Sequence, residues 1–150
     1  MLLNHIKILA SDSFGGRATG TLYEAKAAKY IVTEFKTIGL IPLGNGKSWF
    51  QKFDFNAGTH GKGGRLGKAQ NVIGYLNNRQ KYTVVIPAHY DHLGDGTDGH
   101  SLQKNAEGKI YNGADDNAPG VSGLIGLARY FAGNKLSETY NFLFIAFSGE

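Results

Sequence analysis

The sequence predicts an α/β domain with a mixed, largely parallel central sheet flanked by helices. The first observation is the order of strand, long loop, helix and strand between residues 82 and 147, which is the pattern of a βαβ unit. The second is the nearly all-apolar run at 141–147, which is typical of a strand buried on both faces of a parallel sheet. With 150 residues, 41% of them hydrophobic, the chain can form one domain, or part of one, around a packed core.

Two helices are predicted in the amino-terminal third of the chain. Apolar residues recur at helical spacing over residues 21–38. Thr21 and Glu24 have the separation of a capping box, and Gly39 suits a left-handed helix end. A shorter helix is predicted over residues 2–10.

Strands are predicted at 49–55, 71–76 and 82–88, where apolar and β-branched residues cluster. Residues 57–68 are glycine-rich and basic, and they are predicted to form a flexible loop. Residues 92–118 are rich in Gly, Asp and Asn and are predicted to be irregular. A loop of that length inside a compact domain usually serves a function.

A third helix is predicted from Pro119 to Gly133. Proline suits the first position of a helix, and glycine is a common residue at its end. The apolar residues of this segment recur at helical spacing, so one face is expected to be buried. The polar residues 112–117 therefore lead directly into a helix.

Composition and charge exclude several classes of function. Cysteine is absent, which excludes a disulfide scaffold, a thiolate zinc site and a cysteine nucleophile. No apolar run approaches the ~18–20 residues of a membrane span. Residues 1–90 hold 12 Lys and Arg against 4 Asp and Glu, whereas residues 91–150 hold 4 against 8. The carboxylates gather near three of the five histidines, which indicates a cation site and not a nucleic-acid surface.

Polar residues follow two predicted strands and precede the third predicted helix. The strand at 82–88 leads into residues 89–92, and the strand at 141–147 leads into residues 148–150. Ligands of open α/β sheets bind beyond the carboxyl ends of the strands. We therefore expect these two groups and residues 112–117 to meet at one edge of the sheet.

Each group contains residues suited to metal or acid–base chemistry, and each also has a plainer interpretation. His89 and Asp91 form a His-x-Asp pair. Such a pair is typical of a metal-bound histidine that donates a hydrogen bond to a carboxylate. The plainer interpretation is a partly buried histidine with a local hydrogen bond. A carboxylate of Asp115 or Asp116 can bridge two metal ions. The plainer interpretation is that it stabilises the following helix by its negative charge near the positive N-terminal end. Glu150 is placed as a general acid or base, or is an exposed residue without a role.

These motifs resemble those of the co-catalytic dizinc aminopeptidases, a family that includes secreted bacterial leucyl aminopeptidases. The resemblance covers nearly the whole chain and rests on three ordered motifs at compatible spacing. They are AHYDHLG at 88–94, NGADDNAPGV at 112–121 and FSGE at 147–150, with support from residues 15–21, 28–31 and 39–42.

The resemblance implies a role for each candidate residue. It implies that His89 binds one of two zinc ions and that Asp91 is the carboxylate partner of that histidine. It implies that Asp115 bridges both zinc ions and that Asp116 follows across a cis peptide bond. Glu150 resembles the general base that takes a proton from the attacking water, whereas His92 has no ligand role in the family pattern.

The resemblance also implies the activity and the partners. The expected reaction is hydrolysis of the N-terminal peptide bond of peptide substrates with a free N-terminus, with two zinc ions as cofactor. No nucleic-acid partner and no membrane span are expected, the oligomeric state is open, and family members are mostly secreted or periplasmic. The same fold also serves zinc enzymes that cyclise N-terminal glutamine or act as carboxypeptidases. A non-catalytic zinc-binding or interaction module, or a nucleic-acid role for the loop at 57–68, stays open as an alternative.

The chain departs from the family pattern in two respects. Pro119 stands where a small Ser or Gly is usual, and the second Glu that follows the base in the family, together with a later Asp and His, would lie beyond residue 150. We therefore expect residues 1–150 to be the N-terminal portion of a single catalytic domain. A catalytic zinc normally has three protein ligands, so we expect this portion alone to lack peptidase activity.

Overall fold

The computed structural model describes residues 1–59, 62–97, 101–105 and 108–150, and it confirms the α/β class with helices against a mixed sheet. The helices are α1 Leu2–Leu9, α2 Leu22–Ile38 and α3 Ala118–Gly133. The strands are β1 Ile41–Pro42, β2 Phe50–Thr59, β3 Lys62–Leu76, β4 Thr83–His89 and β5 Asn141–Phe147. Short 3₁₀ segments lie at Asp12–Arg17 and Asn45–Lys47. No helix in the described part of the chain has the length and hydropathy needed to cross a membrane.

The sheet has the strand order β1-β3-β5-β4, and β2 pairs with β3. β4 and β5 are parallel over their whole length, from Thr83 opposite Asn141 to His89 opposite Phe147. The other described strand pairs are antiparallel, so the expected largely parallel sheet is parallel only in this pair. The connections account for the difference: α3 joins β4 to β5 as a crossover, whereas β3 follows β2 directly in the chain and pairs with it antiparallel.

The prediction of a flexible loop at 57–68 is wrong, because most of that segment belongs to the hairpin of β2 and β3. The two strands pair antiparallel from Phe50 opposite Val72 as far as Thr59 opposite Lys62, with one register irregularity. Residues 60 and 61 lie outside the described residues. Gly67 lies so close to Phe55 that a Cβ there would come within 2.6 Å of the ring. Glycine at this position of the strand therefore allows close packing. The prediction of a flexible loop took the same glycine-rich composition as a sign of flexibility.

The predicted helices are confirmed. In α2, the Thr21 hydroxyl accepts a hydrogen bond from the Glu24 backbone N–H at 3.2 Å, and Gly39 ends the helix with a φ of 90°. The Glu24 carboxylate, however, bonds the N–H of Gly20, the N–H of Gln70 and the hydroxyl of Tyr90. Glu24 therefore attaches the start of α2 to the sheet as well as to its own helix.

The core lies between the sheet and the helices. Phe35 of α2 is fully buried, and its ring centroid lies 6.4 Å from those of both Trp49 and Phe144. The third helix packs against α1, α2, β4 and β5 through its predicted apolar face. The buried residues of that face are Ala118, Val121, Leu124, Ile125 and Ala128.

Three parts of the chain meet at the carboxyl edge of the parallel pair. β4 ends at His89 beside Phe147, the last residue of β5. The amino-terminal segment lies against the same edge, because the His92 N–H donates to Arg17 O at 3.2 Å and the Gly94 N–H donates to Gly16 O at 2.9 Å. The residues between β4 and α3 that the structure describes form no long helix or strand, as the sequence predicted.

Candidate metal centre

His89 is the centre of the polar cluster at this edge. Its Nε2 lies 3.1 Å from Asp116 Oδ1, and its Nδ1 lies 3.0 Å from Glu150 Oε2. One donor atom from each of these three residues lies within 4.8 Å of the other two. The residues come from the end of β4, the turn before α3 and the segment after β5, so the three polar groups meet as the sequence predicted.

The aspartate in this cluster is Asp116, where the family resemblance implied Asp115. Asp115 is exposed, and its carboxylate forms no hydrogen bond or ion pair with the residues that the structure describes. The cis peptide bond also lies one position later than expected, between Asp116 and Asn117. The turn before α3 places Asp116, and not Asp115, beside His89. In this turn the Ala118 N–H donates to Gly113 O at 3.2 Å, and the Asn117 side chain caps α3. The one signal in the sequence was that Asp116 directly precedes the capping residue.

Asp91 connects the ends of the two parallel strands. The residue is 3% exposed, and its Oδ2 accepts hydrogen bonds from Thr19 Oγ1 at 2.5 Å, Gly149 N at 2.8 Å and Glu150 N at 3.2 Å. Its Oδ1 is buried, has no hydrogen-bond partner among the described residues and lies 3.9 Å from His89 Nδ1. Asp91 therefore fixes the backbone of Glu150 and directs a second oxygen towards the histidine.

His92, which has no ligand role in the family pattern, lies on the other side of Asp116. Its Nδ1 is 3.5 Å from Asp116 Oδ2, and its side chain is mostly buried. Burial lowers the pKa of His92, and the nearby Asp116 charge opposes that shift. Arg17 and His89 lower the pKa further, whereas Asp91 raises it. The ring thus has a reduced tendency to become charged beside the cluster.

Arg17 is a buried cation at the site, and no sequence pattern gave it a role. Its guanidinium donates to the backbone carbonyls of Tyr90, Leu9, Asn112 and Gly113. Burial lowers the pKa of Arg17 to about 10, and the charges of Asp91 and Asp116 partly offset this effect. The only signal in the sequence was its place in the GGRATGT motif, which says nothing of these contacts.

The residues of the cluster fit a divalent metal such as zinc. Imidazole nitrogen and carboxylate oxygen are both zinc ligands, and two ligands of one tetrahedral zinc lie roughly 3–3.5 Å apart, given bonds of about 2.0–2.1 Å. The 3.1 Å between His89 Nε2 and Asp116 Oδ1 matches that separation. A metal-bound histidine also donates its other ring N–H to a carboxylate, and the unpartnered Oδ1 of Asp91 faces that nitrogen.

Comparisons with solved structures support the fold. The chain superposes on a glutaminyl cyclase of Fimbriiglobus ruber with a TM-score of 0.73 at 17% identity, over 99% of this chain and 44% of that one. It superposes on a leucine aminopeptidase precursor of Bacteroides thetaiotaomicron with a TM-score of 0.70 at 19% identity, and on a Zn-dependent exopeptidase of Parabacteroides distasonis with 0.68 at 21%. The last two alignments each cover 97% of this chain and 44% of the other. The chain therefore has the fold of zinc exopeptidases and spans less than half the length of these structures.

Comparisons of sequence identify the family. The chain is 28% identical over 137 residues to the alkaline phosphatase isozyme conversion protein of Escherichia coli, which covers 91% of this chain and 38% of that protein. The model of peptidase family M28 matches residues 71–150, a range that includes every residue of the cluster around His89. The chain belongs to peptidase family M28.

Proposed function

We propose that the protein is a zinc-dependent aminopeptidase, which hydrolyses the N-terminal bond of peptides with a free N-terminus, and that it binds two zinc ions. The observation that carries the proposal is the approach of His89 Nε2 to Asp116 Oδ1, with Glu150 beside them. Membership of family M28 and the zinc exopeptidase fold support it. Because the chain spans 44% of its solved structural relatives, the activity is proposed for the protein that carries this chain.

His89 and Asp116 would hold zinc, and we propose Asp116 for the bridging role first expected of Asp115. Zinc, when bound, supplies a Lewis acid for the scissile carbonyl and a water of lowered pKa. In the zinc-bound state, Asp91 would accept a hydrogen bond from His89 Nδ1, which would direct Nε2 towards the metal. The same carboxylate keeps the Glu150 backbone beside the centre through its hydrogen bond to the Glu150 N–H.

Glu150 is proposed as the general base. Its side chain is 65% exposed, so the carboxylate can exchange its contact with His89 for one with a water molecule. It takes a proton from the attacking water as the oxygen bonds to the carbonyl carbon. It then gives that proton to the leaving amine as the carbon–nitrogen bond breaks. A positioned base of this kind contributes roughly 10²–10⁴-fold to the rate.

The test uses Glu150→Gln in the purified protein that carries this chain, with an amino acid 4-nitroanilide as substrate. We expect turnover to fall by roughly 10²–10⁴-fold while the zinc content is unchanged. Glu138→Gln is the matched control, because Glu138 lies before β5, away from the centre, and bonds Asn134. Unchanged turnover in Glu150→Gln would refute the base assignment. Equal cleavage of an N-acetylated peptide would refute the requirement for a free N-terminus.

A glutaminyl cyclase is the second candidate, because several solved structures with this fold carry that name. In that reaction, the α-amine of an N-terminal glutamine attacks its own side-chain amide and releases ammonia, and no water is consumed. Mass spectrometry of a peptide with N-terminal glutamine separates the two reactions. Loss of a whole residue supports the aminopeptidase, whereas loss of ammonia alone supports the cyclase.

A further inference from the structure

Arg17 connects the two backbone segments that carry the proposed metal ligands. The residue is 1% exposed. Its Nε donates to Tyr90 O at 2.8 Å, directly after His89 in the chain. Its Nη1 and Nη2 donate to Asn112 O at 2.7 Å and Gly113 O at 3.1 Å, in the turn that leads to Asp116. One planar group thus holds the β4 end and the α3 turn at a defined separation.

The turn is packed directly against this guanidinium. Gly113 has a φ of +59°, and a Cβ built on it would lie 2.4 Å from Arg17 Nη2 and 2.4 Å from Asp116 O. The same Cβ would lie 2.9 Å from His92 Cδ2. The side chain of Arg17 and the backbone of Asp116 therefore leave room only for glycine at position 113.

The amino-terminal segment that carries Arg17 is itself held in place. A Cβ on Gly16 would lie 2.3 Å from Gly94 O and 2.6 Å from Tyr111 O, so the segment lies directly on the loop that follows β4. Nη1 of Arg17 also donates to Leu9 O at 2.5 Å, at the end of α1. The anchor is thus attached to a helix outside residues 71–150, the range matched by the family model.

The hydrogen-bond partners of Arg17 indicate that the side chain positions the backbone and does not form an ion pair. All four acceptors are neutral carbonyls, and no carboxylate contacts the guanidinium among the described residues. Burial of a charge without an ionic partner is unfavourable for stability, and the four hydrogen bonds to carbonyls offset part of that cost. A planar fork of donors, in contrast, fixes several acceptors relative to one another, which the single ammonium of lysine cannot do.

We propose that Arg17 is a positioning residue, which sets the separation of His89 and Asp116 and thereby the affinity of the centre for metal. This inference rests on the proposed function, because it presupposes that the two residues bind zinc. Arg17 acts through its hydrogen bonds to the backbone carbonyls of Tyr90, Asn112 and Gly113, and no hydrogen bond or ion pair in the described part of the chain joins it to the side chain of His89 or Asp116. Mutation of a group that orients a metal ligand by a hydrogen bond typically weakens metal binding by about 10–100-fold, and we expect an effect of this order for Arg17.

The test measures Co²⁺ binding, by titration of the visible absorption, in the purified protein that carries this chain. We expect Arg17→Lys to bind Co²⁺ about 10–100-fold more weakly than wild type and to show an altered spectrum at saturation, while its far-UV circular dichroism is unchanged. Arg129→Lys is the matched control, because Arg129 pairs with Glu34 on the helices. Its Co²⁺ affinity and spectrum should equal those of wild type, whatever its stability.

Gly113→Ala provides an independent arm, because it displaces the same turn while Arg17 is intact. We expect weaker Co²⁺ binding in the same range, and this variant decides the matter if Arg17→Lys does not fold. Wild-type affinity and spectrum in folded Arg17→Lys or Gly113→Ala would overturn the positioning role. Failure of the wild-type protein itself to bind Co²⁺ or Zn²⁺ would instead overturn the proposed function.

Discussion

The imidazole Nε2 of His89 lies 3.1 Å from Oδ1 of Asp116, although the two residues are far apart along the chain. β4 ends at His89, and α3 begins two residues after Asp116, so the crossover from β4 to β5 brings the two together. The same parallel pairing places the residues after β5 beside them. The centre is thus a consequence of one βαβ unit and of the turn that begins its helix.

Asp116→Asn should abolish tight zinc binding, whereas Asp115→Asn should not. Asp116 approaches His89, and Asp115 is exposed one position away, so the two variants differ in position and not in chemistry. We expect the loss in Asp116→Asn to exceed the roughly 10–100-fold typical of changes beyond the ligands. Competition for zinc with a chromogenic chelator measures the zinc affinity of both variants. Stronger loss in Asp115→Asn would restore the assignment first expected from the sequence.

Asp91→Asn should weaken zinc binding by about 10–100-fold without removing a ligand. The amide keeps the shape of the carboxylate, but an NH₂ group replaces the oxygen that faces His89, and this group cannot accept a hydrogen bond. The same chelator competition measures the effect. Asp54→Asn is the control, because Asp54 forms an exposed pair with Lys68 on the hairpin. Equal zinc affinity in Asp91→Asn and wild type would show that Asp91 does not orient the histidine.

Stability should fall as the pH is lowered through the titration of His5. This side chain is buried in α1, its Nδ1 lies 2.5 Å from the Tyr30 hydroxyl, and its Nε2 has no hydrogen-bond partner in the described parts of the chain. Burial lowers the pKa of His5; Glu34 opposes the shift, and Arg129 and the N-terminal amine reinforce it. The unfolded state, with a pKa of about 6.5, therefore binds the proton first as the pH falls. The contribution of His5 is full above about pH 6.5 and is lost as the pH falls through the lower folded-state pKa.

Urea unfolding of wild type and His5→Gln at pH 8 and pH 5 measures this contribution. Wild type should lose more free energy of unfolding between the two pH values than the variant does, because the other titratable groups are common to both. Identical pH dependence of the two proteins would show that His5 titrates normally in the folded state.

Phe35→Ala should destabilise the fold by about 3–5 kcal/mol, as is usual for a large aromatic residue removed from a packed core. Phe35 is fully buried between Trp49 and Phe144 and lies against Gly74 of β3. Leu22→Ala is the control, because Leu22 is 89% exposed at the start of α2. Surface changes of this kind stay within about 0.5 kcal/mol. Similar urea midpoints for the two variants would mean that Phe35 is not central to the core.

The elements that local patterns determine could be predicted from the sequence. The capped helix α2 and the buried strand β5 have strong local signals, and both were predicted within a residue or so of their bounds. His89 and Glu150 also follow from the pattern, because a strand end and its direction are enough to place them at the sheet edge.

The remaining features depend on contacts that no local pattern contains. The choice between Asp115 and Asp116 depends on the turn closed at Gly113, and the hairpin at 57–68 depends on pairing and on the ring of Phe55 over Gly67. The proposed role of Arg17 depends on hydrogen bonds to four backbone carbonyls, three of them far away along the chain, and a carbonyl carries no side-chain signal in the sequence.

Crystals of the zinc-loaded protein, with anomalous diffraction recorded at the zinc edge, test the central claim most directly. The account predicts an anomalous peak about 2.0–2.1 Å from both His89 Nε2 and a carboxylate oxygen of Asp116. It further predicts that Asp91 Oδ1 accepts a hydrogen bond from His89 Nδ1 in that state. Zinc bound elsewhere, or at His89 without Asp116, would contradict the account.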